Sequence, residues 1–394
     1  MKLISVRDFD LTGAKVLLRA DFNVPMEHGK IVDDFKIKQV LPTIDLLLKQ
    51  KCRIVIATHF GRPDGDRAFK FSVKPMYEYL DEHYYKRKIS VKFVKSEINA
   101  DIAQQIYLDK AEIIVLENLR FDNREEQDSK PFAKLLAKMA DVYVNDAFAV
   151  SHRKAASVSA IAKELPVFAG LNFVSEIENL TKALKAEKPA IALLGGVKLE
   201  TKLVLLKTFL EKYNFVLTGG GIAISLLNAA GYFVGSSISE KEYLNRLKPL
   251  LKKNKLILPI DVVVADKATK NNARVVRIGK DKIICAKNEE ILDIGPETIK
   301  LYCQKIASAK TIVWNGPVGF FENKKFSHGT LTLAKAIGAR ASGKAFGIAG
   351  GGETLAAIEQ SRMGRYYDFL STGGGAMMEF LAGKELPGVK PLMK

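Results

Sequence analysis

Cysteine is scarce in this 394-residue chain and tryptophan occurs once. Cys52, Cys285 and Cys303 stand far apart without CxxC spacing, which excludes a disulfide framework and a thiolate zinc cluster and suits a reducing cytoplasm. No apolar run approaches the roughly 18 residues a membrane helix needs. The N-terminal MKLISVRDFDLTGAK mixes acids and bases and has no apolar signal core. Two nucleotide signatures are missing as well. No glycine cluster extends to GxGxxG, which counts against a dinucleotide site. GARASGKA (Gly338–Ala345) matches GxxxxGK, yet Ala345 stands where a P-loop carries Ser or Thr, and the segment follows a helix and precedes a strand, the reverse of P-loop order. Glycine is sparse in the first half: of 29, 24 lie after residue 185. The two halves are therefore built for different work.

Charge is abundant. The net value is +17, distributed as +6, −2, +7 and +6 over residues 1–100, 101–200, 201–300 and 301–394. There is no basic tail and no RNP-like aromatic motif, so a nucleic-acid partner is not expected. The densest basic-aromatic segment, HYYKRKISVKFV (His83–Val94), reads as a helix end, a solvated turn and a strand. A diffuse positive field suits the collection of small polyanionic substrates. The expectation is a cytoplasmic monomer with neither a membrane nor a nucleic-acid partner.

Length allows two or three domains. Short β-rich runs alternate with amphipathic stretches throughout. The first half offers strands Lys15–Ala20, Arg53–Phe60, Glu112–Asn118 and Asp141–Ala147, separated by helical patterns such as VKPMYEYLDEHYY and PFAKLLAKMA. The second half repeats the scheme with AIALLGG, FVLTGG, LILPIDVVVA, TIVWNGP, AFGIAGG and YDFLSTGG. Strands that are apolar without alternation, with helices between them, predict parallel sheets covered on both faces. The fold class is α/β, two doubly wound, Rossmann-like domains joined by a helix and hinge. The boundaries fall at 1–172, a linking helix over 173–188, and 189–376.

In open parallel sheets ligands sit beyond the carboxyl ends of the strands. In the first half those ends carry Asp21, Phe22 and Asn23 (RADFNVP), His59, Phe60, Gly61 and Arg62 (THFGRP), Arg120 (ENLRF) and Arg153 (NDAFAVSHRK). Each alone also reads as a turn residue or a surface ion pair. Arginines converging from several loops suit a ligand with phosphate and carboxylate groups, because the guanidinium fork pairs with both. In the second half LLGGVKLETKL supplies Gly195, Gly196, Lys198 and Lys202. LTGGGIAISLL, IAGGGETLAAI and STGGGAMMEFL each run strand, glycines, helix. One such triplet can be plain tight packing; three together with Gly-Gly-x-Lys predict a polyphosphate cradle made of main-chain amides. Lys198 and Lys202, four apart, are expected to share one helical face. Glu353 is placed to hold Mg²⁺ directly or through water, with Thr354 capping or touching phosphate; a first-turn acid favoured by the helix dipole is the alternative.

Taken together, RADFNVP, THFGRP, ENLRF, NDAFAVSHR, GGVKLETK, LPIDVVVAD, VWNGPVGFFE, GGGET and STGGGA resemble the phosphoglycerate kinase family, in family order from residue 19 to 376. The resemblance implies reversible transfer between 1,3-bisphosphoglycerate with ADP and 3-phosphoglycerate with ATP, with Mg²⁺ as cofactor. It assigns the phosphoglycerate site to Asp21, Asn23, His59, Arg62, Arg120 and Arg153. The nucleotide site falls to Lys202, Glu322, Gly351, Gly352, Glu353 and Thr354, with Asn315 near the phosphates. Lys198 and the amides around Gly373 and Gly374 would face the transferring phosphoryl group, and the tail, residues 377–394, would return to the first domain. Two positions depart from the pattern. Lys36 stands where arginine is usual, keeping the charge and losing the fork; Glu353 stands where aspartate is usual. Two competing readings are a two-domain nicotinamide dehydrogenase, which the absent GxGxxG disfavours, and an RNA-binding protein driven by basic charge, which would show steep salt dependence.

Overall fold

The computed structural model describes residues 2–63 and 67–394. The chain divides into two compact units, Met1–Glu178 with Glu385–Lys394, and Asn179–Lys384.

The first unit contains β1 (Lys15–Arg19), the short hairpin β2 (Met26–Glu27) and β3 (Lys30–Ile31), β4 (Arg53–Ala57), β5 (Val91–Val94), β6 (Ile113–Leu116), β7 (Val142–Asn145) and β8 (Val167–Ala169). Six of these form a parallel sheet in the order β5-β6-β4-β1-β7-β8, the hairpin standing apart. Successive strand side chains point to opposite faces, and here both faces are covered. Val16, Leu18, Ile54 and Ile56 enter one core with Ile37, Val40, Ile44 and Leu47 of the helix Phe35–Lys49 and with Met76, Leu80 and Tyr84 of the helix Lys74–Tyr85. Leu17, Val55 and Ile114 enter the other, against Phe132 and Leu136 of Lys130–Ala137 and Ala103 and Ile106 of Ala100–Leu108. The apolar steps of three and four in these helices match the faces they bury.

The second unit contains β9 (Ala190–Leu194), β10 (Phe215–Thr218), β11 (Leu256–Ile257), β12 (Asp261–Asp266), β13 (Arg274–Arg277), β14 (Glu289–Ile294), β15 (Thr311–Asn315), β16 (Phe346–Gly350) and β17 (Phe369–Ser371). Its main sheet is parallel, ordered β11-β10-β9-β15-β16-β17, so the order reverses between β9 and β15. Trp314, fully buried, packs with Tyr302, Leu333 and Ile337 on one face.

The expected strand LILPIDVVVA does not form as one. It breaks at Pro259, and Asp261–Asp266 joins a separate antiparallel sheet, β13-β12-β14. Proline has no amide to give to a ladder, and Ile260 N and Asp261 N both donate to Thr298 Oγ1 (3.0 and 3.1 Å) at the break. The helix expected over 173–188 runs Leu171–Leu184, with Phe173 N donating to Asp146 Oδ1 (2.8 Å) near its start. The returning tail begins at Glu385 rather than 377, because Gly375–Leu381 is a helix that buries Ala376, Met377, Phe380 and Leu381 within the second unit. From there Gly388 N donates to Ser151 O (2.9 Å), and Ile4 N donates to Leu392 O (2.8 Å). GARASGKA is the end of the helix His328–Ala341 and the turn before β16. Among the described residues no helix is long and apolar enough to cross a membrane.

Candidate active site

In the first unit, strand register gathers the site residues. Arg19, the last residue of β1, pairs with Ala57 and Asn145, and Val115 pairs with Ile56. The loops leaving β1, β4, β6 and β7 therefore open on one sheet edge, where a doubly wound sheet binds ligands. Asp21, nearly buried, accepts from Lys36 Nζ (2.8 Å) and from Asn23 N (3.1 Å). Burial pushes its carboxyl up, but the Lys36 ammonium and these hydrogen bonds more than offset that and hold it at about 2. Lys36 thus enters the site as a point charge tied to Asp21. Asn23 Oδ1 accepts from Gly61 N (3.0 Å), locking the first loop to the second.

Asn118, which the sequence reading passed over inside ENLRF, is the hub of this edge. Its amide accepts from Phe60 N (3.2 Å) and Arg120 N (3.1 Å) and donates to Phe60 O (2.7 Å) and Phe71 O (2.9 Å). Arg120 is held by Gly61 O (2.6 Å) and by Glu126 (3.2 Å). Burial lowers its guanidinium below the usual range, and the neighbouring Arg153 and Arg19 push the same way. Arg153 is half-buried beside His152 (3.4 Å). Arg62 is exposed and has no ion pair among the described residues. Burial drives His59 well below its ordinary value; Arg19, Arg120 and Lys36 act with burial, while Asp21 opposes. So many cations influencing one another leave the edge short of negative charge, an arrangement suited to an anionic ligand. The Phe22 side chain is fully buried in the core, so any contact it makes with a ligand runs through its main chain.

In the second unit one row of paired residues crosses the sheet: Thr218 with Leu194, Leu194 with Asn315, Asn315 with Gly350, and Gly350 with Ser371. The Gly195–Gly196 pair and the three glycine triplets all start at this row. The two central loops leave β9 and β15, the neighbours between which strand order reverses. There Gly195 N donates to Asn315 O (2.9 Å) and Gly196 N to Pro317 O (2.7 Å). Gly316 has φ +90°, and a Cβ on it would overlap the carbonyl of Gly195. Lys202, from the helix Leu199–Lys212, donates to Gly195 O (2.5 Å) and is only 8% exposed. Burial lowers its ammonium to about 8, with Glu353 opposing.

Glu353 lies across the same gap. Built at Gly196, a Cβ would sit 2.7 Å from Lys202 Nζ and 3.7 Å from Glu353 Oε2. Asn315 gives Nδ2 to Gly350 O (2.7 Å), while its buried Oδ1 has no hydrogen-bond partner among the described residues. Gly351 has φ +101° and precedes the helix Gly352–Ser361. Thr354 Oγ1 accepts from Gly316 N (2.7 Å), joining the β15 and β16 loops. Among the described residues no cluster of three His, Cys, Asp or Glu exists that would cage a metal by itself. A lone carboxylate beside the glycine loops nonetheless fits Mg²⁺, which binds through one or two carboxylates, substrate phosphates and waters.

One expectation is corrected here, and two further positions are described. Lys198 is the exposed residue before the helix, in extended backbone, so it does not share a helical face with buried Lys202. Gly373 N donates to Ser371 Oγ (3.1 Å), leaving Gly374, φ +50°, as the freer of that pair. Glu322 is exposed after β15 and makes no ion pair with the cradle among the described residues. Arg19, Ser157 and Glu125, which the sequence reading missed altogether, form a buried line behind the first-unit site.

Comparison with known proteins gives one answer. The family model described as phosphoglycerate kinase matches residues 6–384. Phosphoglycerate kinase of Leptospira biflexa is 42% identical over 400 residues, covering 100% of this chain and 99% of the relative. That of Pelotomaculum thermopropionicum is 40% identical, covering 99% and 98%. The solved structure of phosphoglycerate kinase from Coxiella burnetii matches with a TM-score of 0.85 at 37% identity, covering 99% of each chain. The crystal structure of phosphoglycerate kinase from Pyrococcus horikoshii matches with a TM-score of 0.86 at 30% identity, covering 99% and 98%. With a family match spanning both units, two parallel sheets of the same design and relatives aligned end to end, the chain belongs to the phosphoglycerate kinase family.

Proposed function

We propose that the first unit holds phosphoglycerate on its cationic sheet edge, that the second holds the magnesium nucleotide in its glycine cradle, and that closure of the two brings the ligands together. The reaction is the family's: glycolytic phosphoryl transfer with a carboxyl group as acceptor, 1,3-bisphosphoglycerate and ADP on one side, 3-phosphoglycerate and ATP on the other.

The chemistry needs little from side chains beyond charge and placement. In either direction the nucleophile is an oxygen that is already anionic, a carboxylate or an ADP phosphate, so no general base is required. Catalysis reduces to alignment and to stabilising charge on the in-flight phosphoryl group. Lys36, Lys198, Lys202 and the amides near Gly374 supply that charge. Glu353 would hold Mg²⁺, whose contribution when bound is to neutralise the nucleotide phosphates. An acyl phosphate hydrolyses if water reaches it, so ligands carried on separate units call for hinge closure that expels solvent. A cytoplasmic monomer with small-molecule partners only completes the reading.

The observation that carries it is the single row of strand ends from which the Gly195–Gly196 pair and all three glycine triplets depart, with buried Lys202 beside it. The test is a coupled assay of ATP-dependent phosphorylation of 3-phosphoglycerate, run across pH with and without Mg²⁺. The rate should collapse when the metal is chelated. In the free enzyme Lys202 loses its proton above about pH 8, so kcat/KM for nucleotide should fall on that side. Lys202→Arg, charged at every accessible pH, should abolish that falling limb. A metal-independent rate, or an identical alkaline limb in the arginine variant, would refute these roles.

A further inference from the structure

Behind the first-unit pocket, four side chains form one hydrogen-bonded line. Arg19 is 2% exposed, His59 3%, Glu125 2%, and Ser157 is fully buried. They come from four places: the end of β1, the loop after β4, the helical turn Asn123–Glu126 and the helical turn Ala156–Ala160. Arg19 Nε donates to Ser157 Oγ (2.8 Å), its Nη1 donates to Ala20 O (2.5 Å), and its Nη2 meets His59 Nδ1 (3.2 Å). Ser157 Oγ lies 2.6 Å from Glu125 Oε1, and Ser157 N donates to Glu125 Oε2 (3.0 Å).

What each group is able to do fixes the direction of every bond. A guanidinium has donors only. The hydrogen in the 3.2 Å contact therefore belongs to Arg19, and Nδ1 of His59 is the acceptor. A neutral ring so engaged carries its hydrogen on Nε2. Asp21 Oδ1, at 4.0 Å from Nδ1, is too far to compete for that position. At the other end Ser157 has a single hydroxyl hydrogen. With Arg19 donating to its oxygen, that hydrogen goes to Glu125. The line runs carboxylate, hydroxyl, guanidinium, imidazole, with one polarity throughout. Burial together with the Arg19, Arg120 and Lys36 charges keeps the ring neutral, with Asp21 opposing.

We propose that Ser157 and Glu125 are positioning residues for substrate binding: acting through Arg19, they fix His59 in the tautomer that offers Nε2–H to an oxygen of phosphoglycerate. The pocket then meets that oxygen with a neutral, directional donor, leaving net cationic charge to Lys36 and the arginines. Burial raises the Glu125 carboxyl, with the Arg19 charge and the Ser157 hydrogen bonds opposing; as a carboxylate it supplies the counter-charge that keeps Arg19 in place from behind the ligand-facing edge. This rests on the reading that His59 lines the phosphoglycerate pocket.

Ring ¹⁵N NMR and two-substrate kinetics test both layers. Wild type should show an unprotonated Nδ1 and a protonated Nε2 at His59, the signal being assigned by its loss in His59→Gln. Ser157→Ala should mix the tautomers and raise KM for 3-phosphoglycerate roughly 10-fold, leaving KM for ATP unchanged. Ser157→Thr, which keeps the hydroxyl, should restore both. Glu125→Gln should shift tautomer and KM in the same direction as Ser157→Ala, and it decides the matter should the alanine variant not fold. If His59→Gln leaves KM for 3-phosphoglycerate unaltered, the pocket assignment fails and the proposal with it. If His59→Gln raises that KM while folded Ser157→Ala and Glu125→Gln keep the wild-type tautomer and KM, the positioning role alone is overturned.

Discussion

Lys198→Ala should lower kcat by about 10²- to 10³-fold, the range typical for loss of one preorganised electrostatic group, with KM for both substrates little changed. Lys198 is exposed, sits immediately before the helix Leu199–Lys212, and has no ion pair among the described residues. A flexible ammonium with no resting partner has little ground-state binding to lose. Its charge matters where charge accumulates, on the phosphoryl group between donor and acceptor. An interaction made only in the transition state lowers kcat and kcat/KM together. Being exposed, the side chain contributes little to stability, within about 0.5 kcal/mol, so lost activity will not be confused with unfolding. Steady-state kinetics beside a urea titration make the check. A variant with near wild-type turnover removes Lys198 from the chemistry.

Gly316→Ala should be costly in a different way, destabilising the second unit by about 3 kcal/mol or more. Two independent penalties coincide. The φ of +90° is one that side-chain-bearing residues rarely adopt, and a Cβ would overlap the Gly195 carbonyl. Neither neighbour gives way easily, since Gly195 N is tied to Asn315 O and Gly195 O accepts from Lys202. Whatever relaxation occurs displaces Lys202, so KM for nucleotide should rise as well. Gly279, with no positive φ and nothing within 4 Å of a Cβ, provides the control; Gly279→Ala should be nearly neutral. Equal urea midpoints for the two variants would show that the close approach of the β9 and β15 loops carries no weight.

Much of this was readable from local pattern. Continuous apolar runs such as VLL, IVI and IIVL announced parallel strands buried on both faces, and glycine triplets announced the loops that now line one edge. Where sequence reading failed, information beyond the immediate neighbourhood was needed. Val167–Ala169 is not legible because three residues after Pro166 carry no periodicity; they are a strand because β7 pairs with them on one side and Ala169 N donates to Ile4 O on the other. LILPIDVVVA read as one strand because hydrophobicity spans it, whereas Pro259 and Thr298 divide it. Local pattern gave Arg19, Ser157 and Glu125 no role. Their role depends on contacts 138 and 32 residues apart in sequence, which no window reveals. Asn118 was hidden similarly, since its four hydrogen bonds reach back 58 and 47 residues to Phe60 and Phe71 as well as to Arg120. The charge at Lys36 was readable, but its ion pair with Asp21 was not.

Two-substrate initial-rate kinetics on Arg62→Ala and Lys202→Met address the division of labour itself. Arg62→Ala should raise KM for 3-phosphoglycerate by roughly 10-fold or more and leave KM for ATP unaltered, while Lys202→Met does the reverse. If both substitutions weaken the same substrate, or each weakens both equally, the two units do not divide the ligands as described.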